Sequence, residues 1–402
     1  MKNITWNKIT AKENILNFIF PFIIFYISPI ISLCISFYIL IKKNQKIAFI
    51  NFAILTALYI ALINISKDPN LDPDLQWYSE QYLDAGNLSY IDYIFSFGIN
   101  GKGKELFFPT FNYIIYFFIG KNVILYRAIH SFTCYTLIFY AIYRFTKNLK
   151  IRYTDAGIAI IIVSCFPWIF TYSATLLRQF LAASILVWII IERFSFNKKM
   201  IIPTICMFLS HTSSLLFVPL LYLPFFKKEI SKKTCFYYIL GALFLIFIQP
   251  ITDILYNIVG NSIPALTYAL ERASKDTTFQ LPPLGISKIL LLLGEIFIPL
   301  LLYYKYKIRP FNIMGIINIA IILNVFILIN LSQLELSNRL FLYSTFLLPI
   351  ILCYLFTKIK SGKSILWSIF ITFHLLLILY FNTSMYTYNI NFGIFFFPQL
   401  FI

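Results

Sequence analysis

Charge is what this 402-residue chain has least of: Asp, Glu, Lys and Arg together make up 12%, where soluble domains carry about a quarter. So few charges cannot coat a water-facing surface for a chain this long, which excludes an ordinary soluble enzyme. Acidic residues are the scarcer sign, 16 against 33 Lys and Arg, for a net charge of +17. The excess does not point to nucleic acid, because the cations stand in short clusters between apolar runs, with no basic helix or extended basic surface. Six cysteines, mostly within apolar runs, show neither CxxC nor any other ligand spacing, and indicate neither a disulfide framework nor a metal site. No internal repeat or low-complexity tract is evident. The first apolar run, Phe18 to Ile41, is too long for a signal-peptide core and ends in Lys42-Lys43 without a small-residue cleavage site.

What stands in place of charge is apolar: 60% hydrophobic and 19% aromatic residues, in repeated runs long enough to cross about 30 Å of hydrocarbon. The pattern predicts spanning helices near Phe18 to Ile41, Ile47 to Ile65, Val123 to Tyr143, Ala156 to Tyr172 and Leu176 to Ile191. Others are expected near Phe236 to Val259, Leu284 to Tyr304, Phe311 to Leu331, Leu340 to Phe356 and Ile365 to Phe381. Leu106 to Ile119 is short and contains Pro109, and Met200 to Phe226 is broken by Ser210-His211-Thr212-Ser213-Ser214 and Pro219, so both read as re-entrant or membrane-surface pieces. The expectation is an all-α integral membrane protein: one polytopic helix bundle over residues 1–402, with about 10 to 12 transmembrane helices.

Lys and Arg in short loops mark the cytoplasmic side. Six clusters can lie inside together: Lys42/Lys43/Lys46, Arg144/Lys147/Lys150/Arg152, Arg193/Lys198/Lys199, Lys227/Lys228/Lys232/Lys233, Lys305/Lys307/Arg309 and Lys358/Lys360/Lys363. That arrangement makes the segments 66–105 and 260–283 external. The first carries seven acidic residues against three lysines. Arg178 and Arg339 are then expected to start helices that descend from the same external face.

An arginine within a membrane helix costs about 2.5 to 3.5 kcal/mol on insertion scales, so Arg178, in Ser173-Ala-Thr-Leu-Leu-Arg178-Gln179, needs a bundle interior, a wet cavity or an anionic ligand. Snorkelling to lipid headgroups from a helix end is the alternative. Arg178 with Gln179, and Arg339 with Tyr343 one turn on, suit bidentate recognition of phosphate, and a lipid pyrophosphate is the natural ligand. Asp72-Pro-Asp74-Leu-Gln-Trp77-Tyr78, followed by Glu80, suits a sugar: carboxylates accept its hydroxyl hydrogen bonds and aromatic faces cover its apolar side. One such acid serves as a general base, unless the group is merely a solvated loop. His211 in the hydroxyl-rich break either donates to phosphate or is a structural histidine. His130 and His374 read as structural, and Glu295 reads as a packing carboxylate or a proton-coupled one.

The order of these elements resembles the EpsG-type, or Wzy-like, polysaccharide polymerases. The residues that carry the likeness are Asp74 with Tyr78, Arg178-Gln179-Phe-Leu-Ala182, the basic stretch Arg193 to Lys199, Leu209-Ser-His211-Thr-Ser213, and Arg339 with Tyr343. Glu105 followed by Pro109 is similar to the family's Glu-Pro element. Where the family usually has Arg and Gly before its first Asp, this chain has Ser66-Lys67-Asp68-Pro69-Asn70. The resemblance implies a type C glycosyltransferase architecture without metal or other cofactor, joining undecaprenyl-pyrophosphate-linked repeat units into exopolysaccharide, capsule or O-antigen. The implied place is the outer face of the bacterial cytoplasmic membrane. In that reading Asp74 and His211 are catalytic, Arg178, Arg339, Gln179 and Tyr343 hold the pyrophosphate, and Asp72, Trp77, Tyr78 and Glu80 bind sugar. Its partners are the lipid-linked donor and acceptor, membrane lipids and a candidate chain-length regulator protein, with no nucleic acid. An O-antigen ligase, a transferase using a polyprenyl-phosphate sugar, and a flippase for the same lipid-linked glycan are the rival expectations.

Overall fold

The computed structural model describes residues 18–100, 105–224, 283–306, 311–331, 334–357 and 393–400, with isolated residues between 236 and 258 and between 368 and 376. Every regular element among them is helical. The expected helices near Phe236 to Val259 and Ile365 to Phe381, the segment 260–283 and His374 lie largely or wholly outside the described residues.

Proline decides where several apolar runs break. The run from Phe18 is two helices, α1 (Phe18–Ile27) and α2 (Pro29–Lys43), because Ser28 is extended and Pro29 takes the first helical position, where no N–H is needed. Helix α2 stops at Asn44, which is left-handed at φ 46°, with Lys42 and Lys43 against the negative end of the helix. Helix α3 (Lys46–Ile65) follows and packs on α2. Residues 66–105, expected as an external loop, are largely helical: α4 (Pro73–Asp84), α5 (Tyr90–Tyr93) and a π-helical stretch Ile94–Ile99. Helix α6 (Phe107–Ile119) is too short to span, as expected, and α7 (Val123–Leu149) is the longest element described. The expected span Ala156 to Tyr172 is a bent pair, α8 (Tyr153–Cys165) and α9 (Pro167–Thr175), turned by 60° where Pro167 cannot continue the ladder.

Helix α10 (Leu177–Phe196) is buried almost all round, which explains why it is apolar on every face. Helix α11 (Ile201–Ser210) ends at His211; a 3₁₀ turn (Thr212–Leu216) and α12 (Phe217–Tyr222) follow, so the polar break falls where the hydroxyl run stands. Later come α13 (Ile286–Tyr306), α14 (Phe311–Ile329), α15 (Leu334–Thr345), α16 (Leu347–Phe356) and the short α17 (Gly393–Phe396). Helix α15 begins at Leu334 rather than Leu340, so Arg339 lies within a helix and does not open one.

By length and composition α3 and α10 can each cross a membrane, and α8 with α9 makes a third span if the bent pair counts as one. This all-helical, membrane-compatible architecture does not by itself reach 10 to 12 crossings among the described residues.

The chain divides into two compact units. Met1–Trp188, Leu209–His211 and Ile359–Ile402 form the first; Ile189–Phe208 and Thr212–Lys358 form the second. In the first, α3 is the central post against which α2, α7 and α8 pack, and Tyr59 donates from it to the carbonyl of Phe395. In the second, α14 packs against α13, α15 and α16. Gly315 on α14 is required there: a Cβ would stand 2.0 Å from Cδ1 of Phe194.

Candidate functional site

In the first unit the site is built on α4. Asp72 caps this helix, Oδ1 accepting from the amides of Asp74 and Leu75 at 3.1 Å each, with Pro73 at the first helical position. Its Oδ2 accepts from Lys67 Nζ at 2.5 Å. Asp72, expected to bind sugar, is thus committed to the cap and to a buried lysine. Burial pushes the Lys67 ammonium below its ordinary value, and Asp72 pulls it back up. The buried residues Leu75, Tyr78, Gln81 and Tyr82 recur at helical spacing and lay one face of α4 on α6 and α7. Tyr82 stacks on Tyr126 with centroids 4.1 Å apart and donates to the Gly120 carbonyl at 2.5 Å.

A second arginine supports this base from below. Arg127 of α7, 5% exposed, donates from Nη2 to the carbonyls of Asn64 at 2.9 Å and Lys67 at 2.8 Å. Those carbonyls end or follow α3, where the helix leaves acceptors unpaired and its dipole favours a cation. Asn64 in turn donates to Ser131 and Ser173 at 2.8 Å each, which ties α3, α7 and α9 together.

Arg178 is the second residue of α10, where the helix dipole opposes a cation. Glu105 answers it: Arg178 Nη1 donates to Glu105 Oε2 at 2.8 Å, the carboxylate being 3% exposed. Nε donates to the Tyr78 hydroxyl at 3.3 Å, and the guanidinium carbon lies 5.1 Å from the Trp77 ring centroid. The guanidinium is thus held against aromatic faces and a carboxylate, contacts for which its planar, delocalised charge is suited. Burial raises the Tyr78 phenol above its ordinary value, with Arg178 acting the other way. The Arg178 side chain keeps 22% of its surface, so its outer edge is reachable.

The structure therefore brings Trp77 and Tyr78 to Arg178 and adds Glu105, the acid of the Glu-Pro element. Asp74 is exposed in the first turn of α4, and its charge is felt by both Lys67 and Tyr78. Glu80 is not drawn to the arginine; it accepts from Gln76 Nε2 at 2.9 Å on the exposed side of α4. Gln179 and His211 are buried. His130, read as structural, sits edge-on to Phe108 and Phe111.

The second unit carries its own polar set. Tyr343 shares a 3.2 Å hydrogen bond with Ser213, and its ring centroid lies 4.8 Å from that of Phe217, which joins the hydroxyl-rich break to the late Arg-x-x-x-Tyr element. Arg339, half-buried, is one turn before Tyr343 on α15. Beside it Asn338 accepts from Lys288 Nζ at 3.2 Å. Glu295 is fully buried and has an amide partner, accepting from Asn324 Nδ2 at 2.7 Å and from the Ser344 hydroxyl. Arg193 closes the loop after α10, donating to the carbonyls of Leu221 at 2.9 Å and Lys199 at 2.8 Å.

No curated protein and no solved structure matches the chain significantly. The model of the EpsG family matches residues 69–398. That range runs from the 3₁₀ turn before Asp72 to the last described turn and takes in the Arg178, Glu105 and Tyr343 environments alike. With more than four fifths of its length matched, the chain belongs to the EpsG family.

Proposed function

We propose that this chain is a polysaccharide polymerase of the bacterial cytoplasmic membrane, working at the outer face. It joins repeat units carried on undecaprenyl pyrophosphate. The hydroxyl of an acceptor sugar attacks the anomeric carbon of a lipid-linked glycan, and the pyrophosphate leaves. Negative charge builds on the leaving oxygen, so a preorganised guanidinium there lowers the barrier. Arg178 fills that role, Trp77 and Tyr78 flank the sugar, and a carboxylate from residues 66–105 takes the hydroxyl proton. Arg339, Tyr343, Gln179 and His211 are the further residues that the family resemblance assigns to the phosphate and its reaction.

The observation that carries the reading is Arg178 itself: a guanidinium in contact with Trp77, Tyr78 and Glu105, with an accessible outer edge. A snorkelling anchor has no use for an aromatic-lined, acid-paired setting built from three separate stretches of chain. Incubating the purified protein with a lipid-linked repeat unit tests the function. Longer glycan on the lipid is the expected product. Transfer to a different acceptor identifies a ligase instead, and an unchanged molecule moved across a vesicle membrane identifies a flippase.

A further inference from the structure

Three fully buried polar side chains close a ring in the second unit: Glu295 on α13, Asn324 on α14 and Ser344 on α15. Asn324 Nδ2 lies 2.7 Å from Glu295 Oε2, and the Ser344 hydroxyl contacts both Glu295 Oε2 and Asn324 Oδ1. Each of these contacts joins two electronegative atoms and needs a hydrogen between them. Ser344 owns one hydroxyl hydrogen, and the Asn324 nitrogen meets the ring at one contact, so together they fill two of the three. Turning the amide over changes which contacts are filled and leaves the number the same. The remaining source of the third hydrogen is the Glu295 carboxyl. Its other oxygen, Oε1, is buried without a hydrogen-bond partner among the described residues, a setting in which an ionised carboxylate is costly. Of the helices packed on α13, α14 carries no titratable residue and α16 only Cys353 and Tyr354. Helix α15 carries Glu335, Arg339 and Tyr343, with Arg339 more than a turn before Ser344. On α13 itself Lys288 lies two turns before Glu295 and donates to Asn338.

We infer that Glu295 holds a proton at neutral pH and, uncharged, is the positioning residue that fixes α15 for the reaction. The positioning role rests on the polymerase reading; the proton does not. Ser344 directly follows Tyr343, whose hydroxyl meets Ser213 at 3.2 Å, and Arg339 stands one turn before Tyr343 on the same helix. A closed ring with a hydrogen in every contact sets the rotation and height of α15 against α13 and α14, because a buried polar network rigidifies when each member is satisfied. Without it α15 can turn or slide, and Arg339 and Tyr343 move with it. A misplacement of about 1 Å at a reacting group costs on the order of a hundredfold in rate.

Infrared difference spectra of the parent against Glu295→Gln at neutral pH test the proton. The parent should show the carbonyl stretch of a protonated carboxyl; carboxylate stretches in its place overturn the inference. Chain growth from a lipid-linked repeat unit, with the amount of folded protein matched, tests the positioning. Glutamine brings two amide hydrogens to the same place, and with the Asn324 amide turned over every contact still has one. Glu295→Gln should therefore grow chains within about threefold of the parent, while Glu295→Ala, which empties the ring, falls about tenfold or more. A loss in Glu295→Gln as large as in Glu295→Ala shows that the charge is needed and overturns the inference. In an Arg339→Ala background Glu295→Ala should cost little further growth, since its effect runs through that helix. The full loss repeated there marks a merely structural residue and overturns the positioning role. If Glu295→Ala fails to fold, as thermal unfolding reports, Ser344→Ala takes its place in both backgrounds. A parent that extends no glycan removes the polymerase reading and the positioning role with it, while the infrared band still decides the proton.

Discussion

Arg178 and Glu105 meet at 2.8 Å although 73 positions of chain separate them. The contact closes residues 66–105 back onto the start of α10, and it places a cation at the end of a helix that electrostatically repels it. The acid, with the Trp77 and Tyr78 rings, makes that position tolerable. Three other features of the molecule make four separate predictions.

The cap of α4 couples to a buried lysine, so Asp72→Ala removes two things at once: an N-cap, and the partner of Lys67, whose side chain is 1% exposed. A loss of about 2 to 4 kcal/mol is expected, more than a cap alone. Lys67→Met should cost less, because Asp72 retains its amide partners and some contact with water. Thermal unfolding in detergent ranks the two.

The same pair predicts a pH dependence. Lys67 has a folded-state value lowered by burial, so over the alkaline range below its ordinary value the unfolded chain binds more protons, and stability rises with pH there. Asp72→Asn removes the upward pull and widens that window toward neutrality. Its unfolding temperature should therefore climb with pH from a lower starting pH than the parent's does.

Arg127→Met takes a charged donor from the buried carbonyls of Asn64 and Lys67, the first of which keeps a long bond from the Lys67 amide at 3.4 Å. Losing such a donor costs about 1 to 3 kcal/mol, and a loss of that size is expected. Unfolding that matches the parent's would show that the carbonyls find other donors.

Gly315→Ala should destabilise although alanine favours helix, because the new methyl group meets the Phe194 ring. Overpacking costs about 1 to 3 kcal/mol against a propensity gain of about 1. Adding Phe194→Ala should make the alanine at 315 far less costly than it is beside phenylalanine, which a double-mutant cycle reads directly.

The apolar character of the runs and the interruption by the polar stretch around His211 are legible in the sequence because their physics is local. The breaks at Pro29 and Pro167 fall inside expected spans, and the helix that starts at Asp72-Pro73 falls inside an expected loop, because hydropathy windows average over a single proline or cap. Arg178 stood out because a charge in an apolar run needs a reason. Arg127, inside the apolar run Val123 to Tyr143, meets the same criterion. What stayed hidden depends on contacts distant in sequence: Glu105 as the partner of Arg178, Ser213 as the partner of Tyr343, and Asp72 as structural support, since spacing along the chain does not report which carboxylate folds back. The start of α15 was misjudged for a simpler reason. Glu335, Ser337, Asn338 and Arg339 look like loop until the helix carries them, and hydropathy alone cuts the element at Leu340.

The central claim is that Arg178 binds phosphate oxygens with a planar fork and is not a surface anchor. The most direct measurement is the chain-growth rate of Arg178→Lys on a lipid-linked repeat unit, with the amount of folded protein matched to the parent. Lysine keeps the charge and loses the fork. The account predicts a fall of about a hundredfold, in line with losing an oriented transition-state contact. Chain growth by Arg178→Lys close to the parent's would contradict it.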